Sequence, residues 1–286
     1  MPRILIAGCG YVGQATADLF HDAGWEVEGW TASAESAAKL SDKRYPVVAV
    51  DIADADQVVA RAKSFGAVIH CASTRGGDVD LYRSVYLKGA GNLLEQFDQA
   101  TMVFTSSTSV YAQMNGELVT EGSIAAPQHE TGKVLRETEE LVLSRSGIVA
   151  RLAGIYGPGR SALLKKFLSG EEIIDPQNDR FVNQAHRDDI AAALFLLLNR
   201  RIDKAQIYNV VDDEPILQSE CYLWLAAKLN RPLPSVGKSA SGRKRGRSNK
   251  RVSNGKLRRL GWTPGYPSFS EAMQRSILPS FENPGN

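Results

Sequence analysis

The stretch R-I-L-I-A-G-C-G-Y-V-G, Arg3 to Gly13, decides the fold of this chain. Ile4-Leu5-Ile6-Ala7 has the length and apolar character of a buried strand. Gly8-x-Gly10-x-x-Gly13 follows directly, and a helical pattern through Ala15, Leu19 and Phe20 follows that. Strand, glycine turn and helix in this order form a dinucleotide-binding unit. Gly8 allows the tight turn, Gly10 lets backbone approach a pyrophosphate, and Gly13 lets the helix sit close to the strand. The helix N-terminus offers N–H groups and a partial positive charge to phosphates. Gly8, Gly10, Tyr11, Val12 and Gly13 are therefore candidate cofactor-binding residues.

The pattern repeats outward from there. The first helix is expected to end near Gly24. Strands are predicted at Trp25–Trp30, Pro46–Val50, Ala67–His70, Met102–Thr105 and Gly147–Leu152, with long helices at Val79–Gln99 and Thr131–Ser144. Alternating strands and helices call for a parallel sheet covered on both faces. The predicted class is α/β: a Rossmann doubly wound parallel sheet with helices on both faces, and a smaller C-terminal α/β substrate lobe. Residues 1–153, completed by 181–211, form the cofactor domain in this reading. Residues 154–180 and 212–286 form the substrate-binding lobe.

Ligands of such sheets lie at the carboxyl ends of the strands, and polar or small residues gather there. Thr31 and Ser33 stand where an acid would hold a ribose and where an Arg would accept a 2′-phosphate. Neither is present, so NAD and NADP both stay open, with a slight lean to NADP. Asp51 and Ile52 follow the third strand; Asp51 suits the adenine amino group or a helix N-cap. Cys71, Ala72 and Ser73 follow the fourth strand, and Ile155 the sixth.

The bulk numbers exclude several classes. Hydrophobic residues at 43% and charged residues at 23% describe an ordinary globular protein. A net charge of +2 gives no overall preference for nucleic acid or membranes. Cys9, Cys71 and Cys221 are widely spaced, without metal-ligand spacing, and fit a reducing cytoplasm. No signal peptide is visible, and the apolar run Ile190–Leu198 is too short for a bilayer.

Further along, short helices are expected at Leu163–Phe167, Gln218–Leu229, Lys256–Leu260 and Ser268–Ile277, and a strand at Gln206–Val211. From Lys238 to Arg259 there are many Lys and Arg and no acid. This run reads as a solvated loop, as an anion-binding rim with Arg247, Lys250 or Arg251 facing a substrate phosphate, or as a nucleic-acid arm. The balanced charge elsewhere and the lack of interleaved aromatics count against the last.

Taken together, these residues resemble the extended short-chain dehydrogenase/reductases, the NAD-dependent epimerase/dehydratase family. The resemblance rests on Gly8-x-Gly10-x-x-Gly13, Asp51-Ile52, Ser106-Ser107-x-x-Val110-Tyr111, Arg151 through Gly159, His186-x-x-Asp189 and Tyr208-Asn209-Val210. It implies a nicotinamide cofactor and a small-molecule substrate, often a nucleotide sugar. By analogy with family members that pair through their long helices, it also implies a homodimer.

The family's chemistry uses a Ser or Thr, a Tyr and a Lys. The Tyr exchanges a proton with the substrate, the Lys four residues later holds the ribose, and the Ser binds the substrate oxygen. By resemblance, Ser107 falls at the Ser position and Lys133 at the Lys position, but the Tyr position is His129. Tyr86 and Gly154 stand where members often carry Asn. Three readings follow. His129 replaces the Tyr as acid–base; or another group such as Tyr111 or His186 supplies the proton; or the protein binds NAD(P) without turnover. Tyr111, Arg75, His186, Arg247 and Arg251 are the candidate substrate-binding residues.

Overall fold

The computed structural model describes every residue except Ala62, Arg75, Glu171, Arg201, 239–247 and 283–286. The candidates Arg75 and Arg247, and much of the basic run, therefore lie outside the described residues.

The chain opens with β1 (Arg3–Ala7), α1 (Tyr11–Asp22), β2 (Glu26–Thr31), α2 (Ala34–Ala38), β3 (Val47–Ala49), α3 (Ala55–Ala60) and β4 (Ala67–His70). It continues with α4 (Val79–Tyr82), a π-helical turn (Arg83–Lys88), α5 (Gly89–Gln96), β5 (Thr101–Ser107), β6 (Glu117–Val119), α6 (Glu130–Ser144) and β7 (Ile148–Leu152). Next come β8 (Gly154–Tyr156), α7 (Ala162–Ser169), β9 (Ile173–Ile174), β10 (Phe181–Val182), β11 (Gln184–His186), α8 (Arg187–Asn199) and β12 (Ile207–Val210). The chain closes with β13 (Ile216–Leu217), α9 (Gln218–Leu229), β14 (Ser235–Val236), β15 (Lys250–Val252), α10 (Gly255–Arg259), α11 (Phe269–Ala272), a second π turn (Met273–Ile277) and α12 (Leu278–Glu282).

Seven strands form one sheet in the order β12-β7-β5-β4-β1-β2-β3. The fold is the predicted Rossmann-like α/β arrangement. β1 pairs in parallel with β2 on one side and β4 on the other, so Ala7 stands between Trp30 and His70. β5 pairs in parallel with β4 and β7. This register lines up the carboxyl ends where the polar candidates sit.

By packing, Met1–Val110, Ala125–Leu152 and Ile190–Tyr208 form one compact unit. Its core is the buried sheet, with Ile4, Leu5 and Ile6 in β1 and Phe20 on α1 inaccessible to solvent. Phe20 packs edge-on against Trp25 at 5.1 Å, just past the turn that ends α1.

Tyr111–Ile124, Ala153–Asp189 and Asn209–Asn286 form the second unit. The expected boundary ran the first domain unbroken to 153, whereas residues 111–124 and 181–189 pack with this second unit. Its core gathers Tyr156, Leu164, Phe167, Tyr222, Leu225 and Phe269. Four small ladders bind its loops together: β8 with β11, β6 with β15 and β9 with β14 in parallel, and β10 with β13 antiparallel. Strands of two or three residues carry no readable alternation, so none of these ladders was expected.

Two helices differ from expectation for identifiable reasons. The central one ends at Gln96 because Phe97 leaves helical geometry and turns into the core, against Trp30 at 6.0 Å and Phe65 at 5.5 Å. The last one runs past Ile277 despite Pro279. Proline removes an N–H and crowds the preceding turn, and the wide turn at Met273–Ile277 gives it room.

Candidate functional site: a dinucleotide cradle and the head of α6

The glycine turn is shaped by close contacts on two sides and open space on the third. Gly8 has φ +102°, and a Cβ there would sit 2.1 Å from the Ala72 nitrogen. A Cβ on Gly13 would sit 2.2 Å from the Gly8 carbonyl oxygen. Only glycine allows either approach. A Cβ on Gly10 would meet nothing within 4 Å. Its missing side chain leaves room for something outside the chain. The turn is anchored by Gly8 N and Cys9 N, which both donate to the Trp30 carbonyl, at 3.0 and 2.7 Å. Gly10 is the N-cap of α1, and no side chain caps that end. Tyr11, Val12 and Gly13 thus open a helix whose positive end is available to phosphate. The donor geometry fits a dinucleotide pyrophosphate.

The other strand ends are less free than the sequence implied. Thr31 Oγ1 donates to the Ser33 carbonyl at 3.2 Å, and Ser33 Oγ caps α2 by accepting Ser36 N at 3.2 Å. The nearby cations are taken: Lys39 by Glu35, Lys43 by Asp18 and Arg44 by Asp22, all at 2.6–2.8 Å. Asp51 is not a helix cap. Its Oδ1 accepts Ala53 N at 2.9 Å, and the cap of α3 is Asp54, which accepts Asp56 N and Gln57 N. Ile52 is buried, with its carbonyl accepting from Asn92 at 2.8 Å. Cys71 N donates to the Ala7 carbonyl at 2.7 Å, and burial pushes the Cys71 thiol up to about 12. Ala72 is half-buried and Ser73 exposed. Ile155 lies half-buried in β8, paired with Ala185.

Ser107, His129 and Lys133 all belong to the first unit. Ser107 ends β5, and its Oγ accepts Ser109 N at 3.1 Å. Among the described residues its own hydroxyl proton has no acceptor. His129 is the exposed N-cap of α6, and its side chain makes no cap bond. Its carbonyl accepts Gly132 N at 2.9 Å and Lys133 N at 3.1 Å, so His129 and Lys133 stand one turn apart on one face. Lys133 Nζ is paired with Glu130 at 2.6 Å.

Below this head of α6 lies a buried hub that sequence reading missed. Glu139 accepts Ser106 Oγ at 2.6 Å, Arg151 Nε at 2.9 Å and Arg151 Nη2 at 2.6 Å, and it also pairs with Arg136. It therefore ties α6 to β7 and to the residue of β5 next to Ser107. No sequence signal pointed to it, since Glu139 and Arg151 lie on different elements.

Three expected substrate residues have partners within the second unit. Tyr111 is fully buried, and its hydroxyl donates to Asn209 Oδ1 at 2.9 Å. His186 is also fully buried: Nδ1 accepts Asp188 N at 3.2 Å, so Nε2 carries the proton and donates to Ser276 Oγ at 2.8 Å. Desolvation lowers its pKa to about 4, and the Tyr266 ring lies against it at 3.8 Å. It is a neutral core residue. Arg251 is exposed, and its Nε donates to the Gly116 carbonyl at 3.0 Å, with its guanidinium 5.5 Å over Phe181. Asp189 bonds Gly265 N at 2.6 Å and Tyr266 N at 3.0 Å, and burial raises its pKa to about 6.

Among the described residues no group of His, Cys, Asp and Glu has the arrangement of a metal site. No helix among them is long and apolar enough to cross a membrane.

Known proteins resemble this chain along most of its length. Protein YeeZ of Escherichia coli is 29% identical over 221 residues, covering 73% of this chain and 77% of that protein. A structure from Methylobacillus flagellatus, described as a candidate NAD-dependent epimerase/dehydratase, is 25% identical with a TM-score of 0.80, covering 99% of both chains. UDP-glucose 4-epimerase of Thermotoga maritima, solved with UDP-glucose, shares the fold at a TM-score of 0.83 and 17% identity over 99% of both chains. The profile of the NAD dependent epimerase/dehydratase family matches residues 4–210. With the glycine cradle and the parallel sheet in place, the chain belongs to the NAD dependent epimerase/dehydratase family, whose cofactor is a nicotinamide dinucleotide.

Proposed function

We propose that this protein is an NAD(P)-dependent oxidoreductase, epimerase- or reductase-like, acting on a nucleotide sugar or a small carbonyl or hydroxyl compound. The observation that carries the reading is Gly10. Its Cβ direction is empty of protein, at the uncapped start of α1, while Gly8 and Gly13 are glycines for internal reasons. When bound, the dinucleotide supplies reversible hydride transfer. Everything else falls to the chain's own side chains.

In this reading Ser107 donates its unused hydroxyl proton to a substrate oxygen. His129 takes the place of the missing Tyr and exchanges a proton with that oxygen. Its imidazole is exposed and free of capping duty. Lys133 exchanges Glu130 for the ribose hydroxyls. Tyr111 and His186 drop out as proton sources, because both are buried and hydrogen-bonded within the core of the second unit. The free thiols of Cys9, Cys71 and Cys221 support a reducing, cytoplasmic setting.

One observation favours a second reading, a dinucleotide-binding regulatory or scaffold protein without turnover. Lys133 is held by Glu130 at 2.6 Å. Two measurements separate the readings. Titration with NADH and NADPH, followed by fluorescence, tests the cofactor; no binding of either at millimolar levels sinks both readings. A turnover screen with nucleotide sugars and small carbonyl compounds follows, repeated with His129→Ala and Lys133→Ala. Activity that survives His129→Ala removes His129 from the mechanism.

A further inference from the structure

Three buried side-chain atoms of the second unit have no hydrogen-bond partner among the described residues: the Tyr156 hydroxyl oxygen, Gln184 Oε1 and Asp212 Oδ1. The three side chains share one neighbourhood. β8 and β11 pair in parallel, with Tyr156 opposite His186 and Gln184 opposite Gly154, so Tyr156 and Gln184 point to the same face. The Asp212 N–H donates to the Gln184 carbonyl at 2.7 Å. The Asp212 carboxyl acts on both the Tyr156 hydroxyl and the Cys221 thiol, and these two side chains belong to the core of the unit. Asp212 is only 4% exposed.

Among the described residues no cation pairs with this carboxyl. Lys250 is also buried, 5% exposed, but it donates to the Tyr111 carbonyl at 2.9 Å and to Ser248 Oγ at 2.8 Å. Arg258 lies 3.7 Å from Asp213, the next residue. The charged groups that act on Asp212 are acids: Asp213 and Glu214 on its own segment and Asp189 on α8. Facing it are the Tyr156 phenol and the Cys221 thiol, with the neutral His186 ring 5.8 Å from that of Tyr156. Burial first, and Asp213 next, push the Asp212 carboxyl well above the usual carboxylate range, while the Glu214 N–H opposes them. A buried charge without a partner is costly, and a carboxyl so placed sheds it by holding its proton. Donor counting agrees. With a carboxylate, two unpartnered acceptors, Asp212 Oδ1 and Gln184 Oε1, face a single phenol proton. A proton on Asp212 Oδ1 supplies the second donor.

We propose that the second unit closes around Asp212 as a neutral carboxylic acid and loosens when that acid gives up its proton. On folding, one proton passes from water to the Asp212 carboxylate and forms its O–H bond; ionisation returns it to water. The ionised form holds an uncompensated carboxylate with three other acids acting on it. Asp212 is thus a pH-operated switch in the second unit, and its action requires neither cofactor nor turnover. Between the ordinary 3.8 of an aspartate and the raised value, the folded chain binds one more proton than the unfolded chain. Stability therefore falls as pH rises through that window.

The test combines infrared spectroscopy with urea unfolding of the full-length protein, wild type against Asp212→Asn. Spectra are taken at pH 7.5, where Asp189, raised only to about 6, is already ionised. Folded wild type is expected to show the C=O stretch of a protonated carboxyl, absent from Asp212→Asn and lost when urea unfolds the chain. In unfolding series from pH 5 to 8, the folding constant of wild type relative to Asp212→Asn is expected to fall by about tenfold per pH unit while the folded acid keeps its proton. Asp189 is common to both proteins and cancels in the comparison. No protonated-carboxyl band in folded wild type overturns the proposal. So does a band that persists in Asp212→Asn, or a relative folding constant that stays within about threefold across the series. If Asp212→Asn does not fold, wild type decides: a band that unfolding removes supports the neutral acid, and its absence overturns it.

Discussion

Replacing Glu139 by Ala removes a carboxylate that pairs with Arg151 inside the first unit. Arg151 is 1% exposed and Glu139 is fully buried, with two Arg151 contacts at 2.9 and 2.6 Å. Ser106 Oγ loses an acceptor 2.6 Å away. Arg136 loses less, because it sits nearer water and keeps Glu140 at 3.1 Å. Removing one partner of a buried ion pair costs about 3–5 kcal/mol, since the survivor is left charged and desolvated. The unpaired hydroxyl adds part of the ~1–3 kcal/mol expected for a buried unsatisfied group. These costs share atoms and do not sum. The expected loss is about 3–5 kcal/mol, a large share of the ~5–15 kcal/mol typical of a domain. Urea unfolding of the cofactor-free protein at pH 7, followed by circular dichroism, measures it; cofactor is left out because binding adds its own stabilisation. The double variant Glu139→Leu, Arg151→Met removes both charges and is expected to recover most of the loss. A loss below about 1 kcal/mol in Glu139→Ala, within the range of exposed pairs, refutes the reasoning. So does a double variant no better than the single one.

Three further outcomes are expected. Gly10→Ala leaves the melting temperature of the cofactor-free protein unchanged but weakens NADH binding at least tenfold, about 1.4 kcal/mol, because its Cβ meets only the ligand's space. Gly13→Ala lowers stability outright, by about 1–3 kcal/mol or more, because its Cβ lands 2.2 Å from the Gly8 carbonyl oxygen; differential scanning fluorimetry compares the two, and a matching loss in both variants refutes the distinction. NADH and NADPH bind within about tenfold of each other, since Thr31 and Ser33 bond locally and Lys39, Lys43 and Arg44 are already paired; a hundredfold preference in a fluorescence titration contradicts this. Lys250 titrates near 8 in the folded protein and near its ordinary 10.5 when unfolded. Between these values the unfolded chain binds more protons, so stability rises with pH there. Wild type should therefore gain stability relative to Lys250→Met from pH 8 to 10 by urea titration, and a flat difference counts against burial of the charge.

The dinucleotide half of the molecule was readable because its signals are local. An apolar run, a glycine spacing and a helical stripe each occupy a few consecutive residues, and strand after strand repeated them. Even there, position did not reveal availability. Thr31, Ser33 and Asp51 lie at the expected strand ends, yet each spends its oxygen on a neighbouring backbone group. Tyr111 and His186 carried the right chemistry for proton transfer, but their partners Asn209 and Ser276 are about ninety residues or more away in sequence. No spacing rule finds such pairs.

The sequence by itself determined the α/β class, the parallel sheet and the cradle at Gly8, Gly10 and Gly13. These follow from period, turn chemistry and residue identity, which are properties of short stretches. Only the tertiary structure decided which polar groups are spent and which are left over. Burial and long-range pairing closed Glu139 on Arg151, sealed His186 in a core, and took Lys250 out of an apparently solvated basic run. Desolvation depends on what covers a residue, and the cover comes from distant parts of the chain.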